Sequence, residues 1–247
     1  MIQVPVVAAP ALLAVPAPLA LARPLARRHR PDDPMATPER SVASRVRGVN
    51  RIYIQMMLIL AAILGPQLVV ILHHAGPDAL KWWPFAGLAS GVLVTLVGLL
   101  WPHTTFSGLR RPAASDVVLA VAVGVGCAEA ALVYIWLLGS YGGLYDLRSG
   151  LGLPAMLFTL AVCPAVVEEL AFRGLVQGSL TELWGRYLGW AMTAGIFALC
   201  HGPTLGLPCQ FSLGLLLGWM RIRSGSLIPG MAMHGCYNGI LVWAAYH

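Results

Sequence analysis

LPAMLFTLAVCPAVVEELAFRGLVQG, residues 153–178, is the stretch that decides the fold. It is predominantly apolar and longer than the ~20 residues that an α-helix needs to cross the hydrocarbon core of a bilayer. It nevertheless carries two acids and a base, Glu168, Glu169 and Arg173. Each charge costs roughly 2.5–3.5 kcal/mol at the centre of a spanning helix. The three residues must therefore neutralise one another or line a wet site.

The rest of the chain shares this apolar character. Hydrophobic residues make up 58% of the 247 residues, charged residues 11%, and the mean hydropathy is +0.75. Soluble domains carry roughly 25% charged residues, so this composition excludes a water-soluble globule. Backbone groups in hydrocarbon need partners within their own segment, and the sequence lacks the ~10-residue alternating strands of a barrel. We therefore predict an all-α, polytopic transmembrane helical bundle.

The apolar runs predict about seven spans. Their approximate bounds are 52–73, 82–101, 116–139, 153–178, 188–204, 209–222 and 227–246. Lys and Arg accumulate at cytoplasmic span ends. A cytoplasmic N-terminus places most basic residues on that side: Arg23, Arg27, Arg28, Arg30, Arg40, Arg45, Arg47, Arg51, Arg110, Arg111, Arg186, Arg221 and Arg223. Lys81 and Arg148 fall on the other side, so the span count and the charge rule agree.

Residues 1–50 form a Pro/Arg-rich segment that differs from the transmembrane domain predicted for 51–247. Prolines at positions 5, 10, 16 and 18 prevent a stable spanning helix, and the following residues are predicted to be disordered or to lie on the membrane surface. Met35 is a candidate alternative start. The net charge of +6 is explained by attraction to an anionic leaflet, so we expect a lipid bilayer and no nucleic acid as partner. The preference for Arg over Lys suggests a GC-rich genome, and hence a bacterial cell membrane.

Helix geometry separates the two acids of the opening stretch. Glu169 and Arg173 lie at i, i+4 with the acid nearer the N-terminus, the favourable order for an ion pair on one face. Glu168 is rotated by about 100° from Glu169. The sequence therefore predicts a Glu169–Arg173 ion pair and leaves Glu168 without a partner on its own helix. Such a carboxylate suits a general base.

Further polar side chains lie in the later spans. His201 ends the fifth, while His234 and Asn238 share a face of the seventh at i, i+4. These residue types support water activation by Glu168 aided by His201, with hydrogen bonds to a tetrahedral oxygen from His234 and Asn238. Glu129, a lone acid in the third span, is expected to face the bundle interior or an aqueous cavity, as a packing or hydrogen-bonded acid in preference to a catalytic one.

Other chemistries have less support. Zinc is the nearest competitor because Glu and His are metal ligands, but no HExxH motif occurs, so we expect no metal. There is no GxSxG motif and no Gly-Asp pair for a serine or aspartyl protease. Cys200 precedes His201 directly, and adjacent helical residues point about 100° apart, which argues against a thiol nucleophile. The five cysteines show no CxxC spacing.

Three motifs together resemble a known family. They are EExxxR from Glu168 to Arg173, FxxxH from Phe197 to His201, and HxxxN from His234 to Asn238. Their order and spacing are similar to those of the CAAX protease and bacteriocin-processing family, which consists of intramembrane glutamic peptidases. The resemblance covers about residues 150–240. It implies that Glu168 is the general base, working with His201.

The resemblance also implies that His234 and Asn238 form the oxyanion hole, with Glu169 and Arg173 in supporting roles. The predicted function is therefore an intramembrane endopeptidase that hydrolyses a peptide bond of a membrane-associated or lipidated protein or peptide. The alternative is a non-catalytic immunity or partner-binding protein on the same fold, with a transporter as a third reading. The sequence leaves the substrate and the oligomeric state open.

Overall fold

The computed structural model describes residues 38–73, 77–101, 106, 108–138, 152–201 and 205–247. The chain divides into two units, Met1–Ser44 and Arg45–His247. Residues 1–37 of the Pro/Arg-rich segment, Met35 among them, lie outside the described residues, as does Arg148. Residues 38–50 are helical, so the disorder predicted for this part is wrong. The site discussed below belongs entirely to the second unit.

The described residues form seven helices with short connections and contain no β-strand. They are α1 (Pro38–His73), α2 (Pro77–Leu100), α3 (Ala114–Leu137), α4 (Leu153–Trp184), α5 (Arg186–Cys200), α6 (Leu207–Ser224) and α7 (Ile228–Tyr246). The predicted all-α bundle is confirmed. Each helix overlaps one predicted span, and most ends differ from the predicted ones by a few residues.

The chain is an integral membrane protein. Among the described residues, three helices are long and apolar enough to cross a membrane by themselves: Gly48–His73 within α1, all of α3, and all of α4. Helix α2 contributes a shorter apolar stretch, Phe85–Leu100. Helix α5 does not meet this criterion because it has only 15 residues, and α6 and α7, with 18 and 19 residues, are less apolar. The count of seven spans therefore stays a prediction.

Helices α4 and α5 form a hairpin that turns at Gly185. This glycine has φ +81°, a backbone conformation that other residues rarely adopt. Helix α4 continues to Trp184, six residues past its predicted end. Glu168 precedes Gly185 by 17 residues and His201 follows it by 16. The antiparallel return therefore brings His201 level with Glu168.

Helix α7 packs antiparallel against α4 through small residues. A Cβ built on Gly235 would lie 3.7 Å from Ala165 Cβ, and one on Gly239 would lie 4.0 Å from Ala161 Cβ. Small residues let helix backbones approach closely inside a membrane, where water expulsion does not drive helices together. This close approach places His234 of α7 against the acid pair of α4.

Of the two positions expected for Glu129, the bundle interior is wrong. Its side chain is exposed on α3, and the buried positions of this helix are Ala120, Gly124, Ala128 and Ala131. The physical reason is that these small residues allow close contact with the neighbouring helices, which leaves Glu129 on an exposed face of α3. A charged residue in an apolar helix indicates that another group or water offsets the cost of its charge. The sequence alone does not show to which side of the helix the charged side chain points.

Candidate active site

Helix α4 changes from α-helical to π-helical geometry at the acid pair, Glu168 and Glu169. Segments Leu157–Val162 and Glu169–Val176 are π-helical, and Cys163–Glu168 between them is α-helical. Glu168 therefore ends the α-helical segment, and Glu169 begins a π-helical segment whose residues are all buried. Such turns are rare and occur frequently at functional sites. These π-helical turns were not predictable from the sequence, because an almost uniformly apolar run has no polar stripe from which the number of residues per turn can be read.

Glu169 and Arg173 form the predicted ion pair. Arg173 Nη1 donates a hydrogen bond to Glu169 Oε1 at 2.8 Å, and both side chains are at most 1% exposed. Arg173 Nη2 donates to the carbonyl oxygen of Gly214 in α6 at 3.2 Å. The guanidinium carbon lies 4.4 Å from the ring centre of Phe197 in α5. Arg173 thus links α4 to both α5 and α6.

Glu168 faces two histidines from different helices. Its Oε2 atom lies 3.8 Å from Nε2 of His201 and 3.9 Å from Nε2 of His234. Both separations exceed a hydrogen bond, and Oε2 has no hydrogen-bond partner among the described residues. The Glu168 side chain is 20% exposed. The structure therefore brings together three of the four predicted catalytic residues around one carboxylate oxygen.

His201 is oriented by its own helix. It lies immediately after the last residue of α5, and its Nδ1 atom is 2.8 Å from the carbonyl oxygen of Phe197. A carbonyl oxygen can only accept, so Nδ1–H is the donor. The Phe197 ring also packs against the imidazole at a centroid distance of 4.6 Å. Nε2 is consequently the nitrogen turned toward Glu168.

His234 has a contact that sequence reasoning missed. Its Nδ1 atom lies 3.2 Å from Oε1 of Glu169, the same oxygen that binds Arg173. The imidazole is 1% exposed. The helical spacing assigned Glu169 to Arg173 alone, because a contact between α4 and α7 depends on their relative register. One imidazole therefore lies between two consecutive carboxylates, with Nδ1 toward Glu169 and Nε2 toward Glu168.

Asn238 lies one turn beyond His234 on α7 and is half-buried. Its side chain makes no hydrogen bond within the part of the chain that the structure describes, so the amide N–H groups are free to bind another molecule. The shared face predicted from the i, i+4 spacing is consistent with the α-helical course of Ile228–Tyr246. No direct contact joins Asn238 to Glu168 among the described residues.

The donor set fits zinc poorly. Ligands about 2.0–2.1 Å from a tetrahedral zinc lie about 3.4 Å from one another, whereas the Nε2 atoms of His201 and His234 lie 3.8 and 3.9 Å from Glu168 Oε2. No group of three or more His, Cys, Asp or Glu within the described ranges is arranged to hold a metal ion. All five cysteines are free thiols.

An apolar groove of about 380 Å³ lies between α2 and α4. Gly87, Gly91 and Thr95 line it from α2, while Val167 and Leu170 line it from α4. These last two residues flank the acid pair in sequence. Sequence reasoning missed the α2 residues because α2 carries no polar motif, so nothing in its composition marks the face that meets α4.

Comparison with known proteins gives one match. Residues 150–240 match the family model described as Rce1-like, Type II CAAX prenyl endopeptidase Rce1-like. No curated protein and no solved structure matches the chain. The matched region contains Glu168, Glu169, His201, His234 and Asn238, and its extent agrees with that of the three motifs. Residues 150–240 of this integral membrane protein are therefore similar to the Rce1-like family of peptide hydrolases, which agrees with the resemblance of the three motifs to the CAAX protease and bacteriocin-processing family.

Proposed function

We propose that the protein is an intramembrane endopeptidase that hydrolyses a peptide bond of a membrane-associated or lipidated protein or peptide. The observation that carries this proposal is the convergence of His201 and His234, from two different helices, on the Oε2 atom of Glu168. A partly exposed carboxylate beside two imidazoles is suited to general acid–base catalysis. The family of residues 150–240 supports peptide hydrolysis as the reaction class.

In the proposed reaction, Glu168 and His201 orient a water molecule for attack. The water oxygen bonds to the carbonyl carbon of the scissile amide while its proton passes to Glu168. The carbonyl π electrons move to oxygen, and the resulting oxyanion accepts hydrogen bonds from His234 and Asn238. When the tetrahedral intermediate collapses, the C–N bond breaks and the proton on Glu168 goes to the leaving amine. In other enzymes, one oxyanion donor contributes about 3–4 kcal/mol to transition-state stabilisation.

We further propose that this reaction needs no metal ion. The wide separation of the Glu168 and histidine donors supports this view. Proteolysis that survives prolonged chelation, with zinc content measured in the same sample, would agree with it. Activity that disappears on chelation and returns with added zinc would overturn it.

The groove between α2 and α4 suits the apolar part of the substrate. It opens beside Val167, whose neighbour in sequence is Glu168. A lipid chain or an apolar peptide segment in the groove would keep its surface out of water while the scissile bond reaches the carboxylate. This placement supports a lipidated or membrane-inserted substrate over a soluble one.

The test is cleavage by the full chain in proteoliposomes. A panel of labelled peptides would include a prenylated peptide ending in a CaaX sequence, the same peptide without its lipid, and a small Gly-Gly leader peptide. Glu168→Gln is expected to abolish cleavage while the protein remains folded by thermal unfolding. Glu129→Gln is the matched control, since it makes the same change at an exposed acid on α3 and should retain activity.

Two results would count against the proposal. Cleavage by Glu168→Gln at the wild-type rate would show that this carboxylate is not the base. If Glu168→Gln and His201→Ala both kept full biological function in cells, the non-catalytic role in immunity or partner binding would be favoured instead.

A further inference from the structure

The two histidines that face Glu168 differ in what holds their other nitrogen. Nδ1 of His201 meets a neutral backbone carbonyl at 2.8 Å, and this imidazole is 30% exposed. Nδ1 of His234 meets the Glu169 carboxylate at 3.2 Å, and this imidazole is 1% exposed. The same Glu169 oxygen accepts a hydrogen bond from the Arg173 guanidinium, which carries a positive charge. An ionised carboxylate can only accept, so Nδ1–H of His234 is a donor.

This contact determines what Nε2 of His234 can do. In a neutral imidazole, a proton on Nδ1 leaves Nε2 as an acceptor only. A neutral His234 would then turn a lone pair toward Glu168 and could not donate a hydrogen bond to an oxyanion. The oxyanion role requires a second proton on the ring.

The charges of the site agree with a second proton. With both imidazoles neutral, Glu168 and Glu169 outweigh Arg173 by one negative charge. One imidazolium balances the set, and a charge within a membrane-spanning helix is costly when nothing compensates it. Of the two rings, His234 is the one in contact with the ionised Glu169 carboxylate.

The other ionisable groups near α7 do not change this balance. Cys127 of α3 and Cys209 of α6 lie near Tyr237, and Cys200 of α5 lies near Glu168; none of these thiols adds a positive charge. Cys236 and Asn238 lie on α7 itself, and Asn238 is neutral. Across the interface with α4, the groups that face His234 are Glu168 and Glu169, and Arg173 interacts with both carboxylates.

We propose that Glu169 is a positioning residue that keeps His234 as an imidazolium, whereas His201 is neutral. The inference rests on the proposed function and deepens it, because it gives the two histidines different tasks. Nε2–H of His234 is the donor to the oxyanion. The unprotonated Nε2 of His201 receives a hydrogen bond from water or shares the proton of Glu168.

The direct test is the protonation of both rings in the resting protein. The full chain is labelled with ¹⁵N-histidine, and loss of signals in His234→Gln and His201→Gln assigns the two rings. At the pH of maximal activity, or at neutral pH if no activity is found, His234 should show two protonated nitrogens and His201 one. A single protonated nitrogen on His234 would overturn the inference.

This measurement does not depend on cleavage, so its failure is distinguishable from failure of the proposed function. A protein without proteolytic activity whose His234 is an imidazolium would refute the function, and only the effect of Glu169 on the protonation of His234 would remain. The spectrum of the wild-type protein alone shows whether His234 carries two ring protons, so this test does not depend on the folding of any Glu169 variant.

A variant tests the role of Glu169. Glu169→Gln keeps an acceptor for Nδ1–H but removes the charge. We expect His234 to lose one of its two ring protons, and kcat to fall roughly 100-fold or more, the cost of losing one oxyanion donor. KM should stay within about two-fold, because the lost interaction belongs to the transition state. The alkaline limb of the kcat profile should move to lower pH.

Glu129→Gln is the control for Glu169→Gln and should leave the His234 signals unchanged. If His234 stays doubly protonated in Glu169→Gln, Glu169 does not hold the proton and the inference fails. A fall in activity with an unchanged pH profile and an unchanged His234 spectrum would indicate a merely structural role and would also overturn it.

Discussion

Gly230 offers a sharp perturbation of the acid pair, because it lies on α7 directly opposite Glu169. A Cβ built at this position would lie 2.8 Å from Glu169 Oε2 and 3.6 Å from its carboxyl carbon. Methyl carbons do not approach oxygen that closely, so in Gly230→Ala either the carboxylate must rotate or α7 must move away. The carboxylate is not free to rotate without cost, since its other oxygen binds both Arg173 and His234.

The expected size of the effect follows from these contacts. Forcing an extra methyl group into a packed interior costs typically about 1–3 kcal/mol of stability. The larger effect should be on catalysis, because His234 loses its orientation. A misplacement of about 1 Å can lower the rate roughly 100-fold. We therefore expect Gly230→Ala to fold with reduced thermal stability and to lose most of its kcat.

Gly235→Ala is the matched control on the same helix. Its Cβ would lie 3.7 Å from Ala165 Cβ, an ordinary van der Waals contact. Both variants would be assayed for cleavage in proteoliposomes and for thermal unfolding in detergent. Wild-type kcat in Gly230→Ala, with Gly235→Ala also normal, would refute the view that the position of the Glu169 carboxylate controls the site.

Two other predictions concern packing away from the acid pair. A Cβ on Gly124 of α3 would lie 2.6 Å from the carbonyl oxygen of Met233, so Gly124→Ala should destabilise the fold by roughly 1–3 kcal/mol. Gly126→Ala is the control, because a Cβ there has no atom within 4 Å and should not lower the stability. Equal thermal unfolding temperatures for the two variants would contradict this prediction. Gly87 lines the apolar groove, and a Cβ there meets nothing within 4 Å. Gly87→Leu should therefore fill the groove and raise KM for a lipidated peptide more than for its unlipidated form. Equal changes in KM for the two peptides would argue against the groove as the lipid site.

The fold was largely predictable because hydrophobicity reports membrane burial directly. Runs of apolar residues gave one predicted span for each of the seven helices, and the i, i+4 rule gave the Glu169–Arg173 pair, since both depend on local sequence. The contact of His234 with Glu169 was not predictable in this way. It depends on the register between α4 and α7, in which Gly235 lies beside Ala165 and Gly239 beside Ala161. Glu129 was placed wrongly for a related reason, because its direction depends on which face of α3 packs against other helices.

The geometry also gives a physical reason for two consecutive acids. An imidazole has its two nitrogens on different sides of the ring, so a single carboxylate cannot reach both. Glu168 and Glu169 point in different directions from one helix, and each lies near a different nitrogen of His234. Glu169 pairs with Arg173 and contacts Nδ1 of His234. Glu168 makes no such ion pair on α4. One acid can therefore hold the imidazole while the other stays available for a proton from water, a division that a single glutamate at either position could not provide.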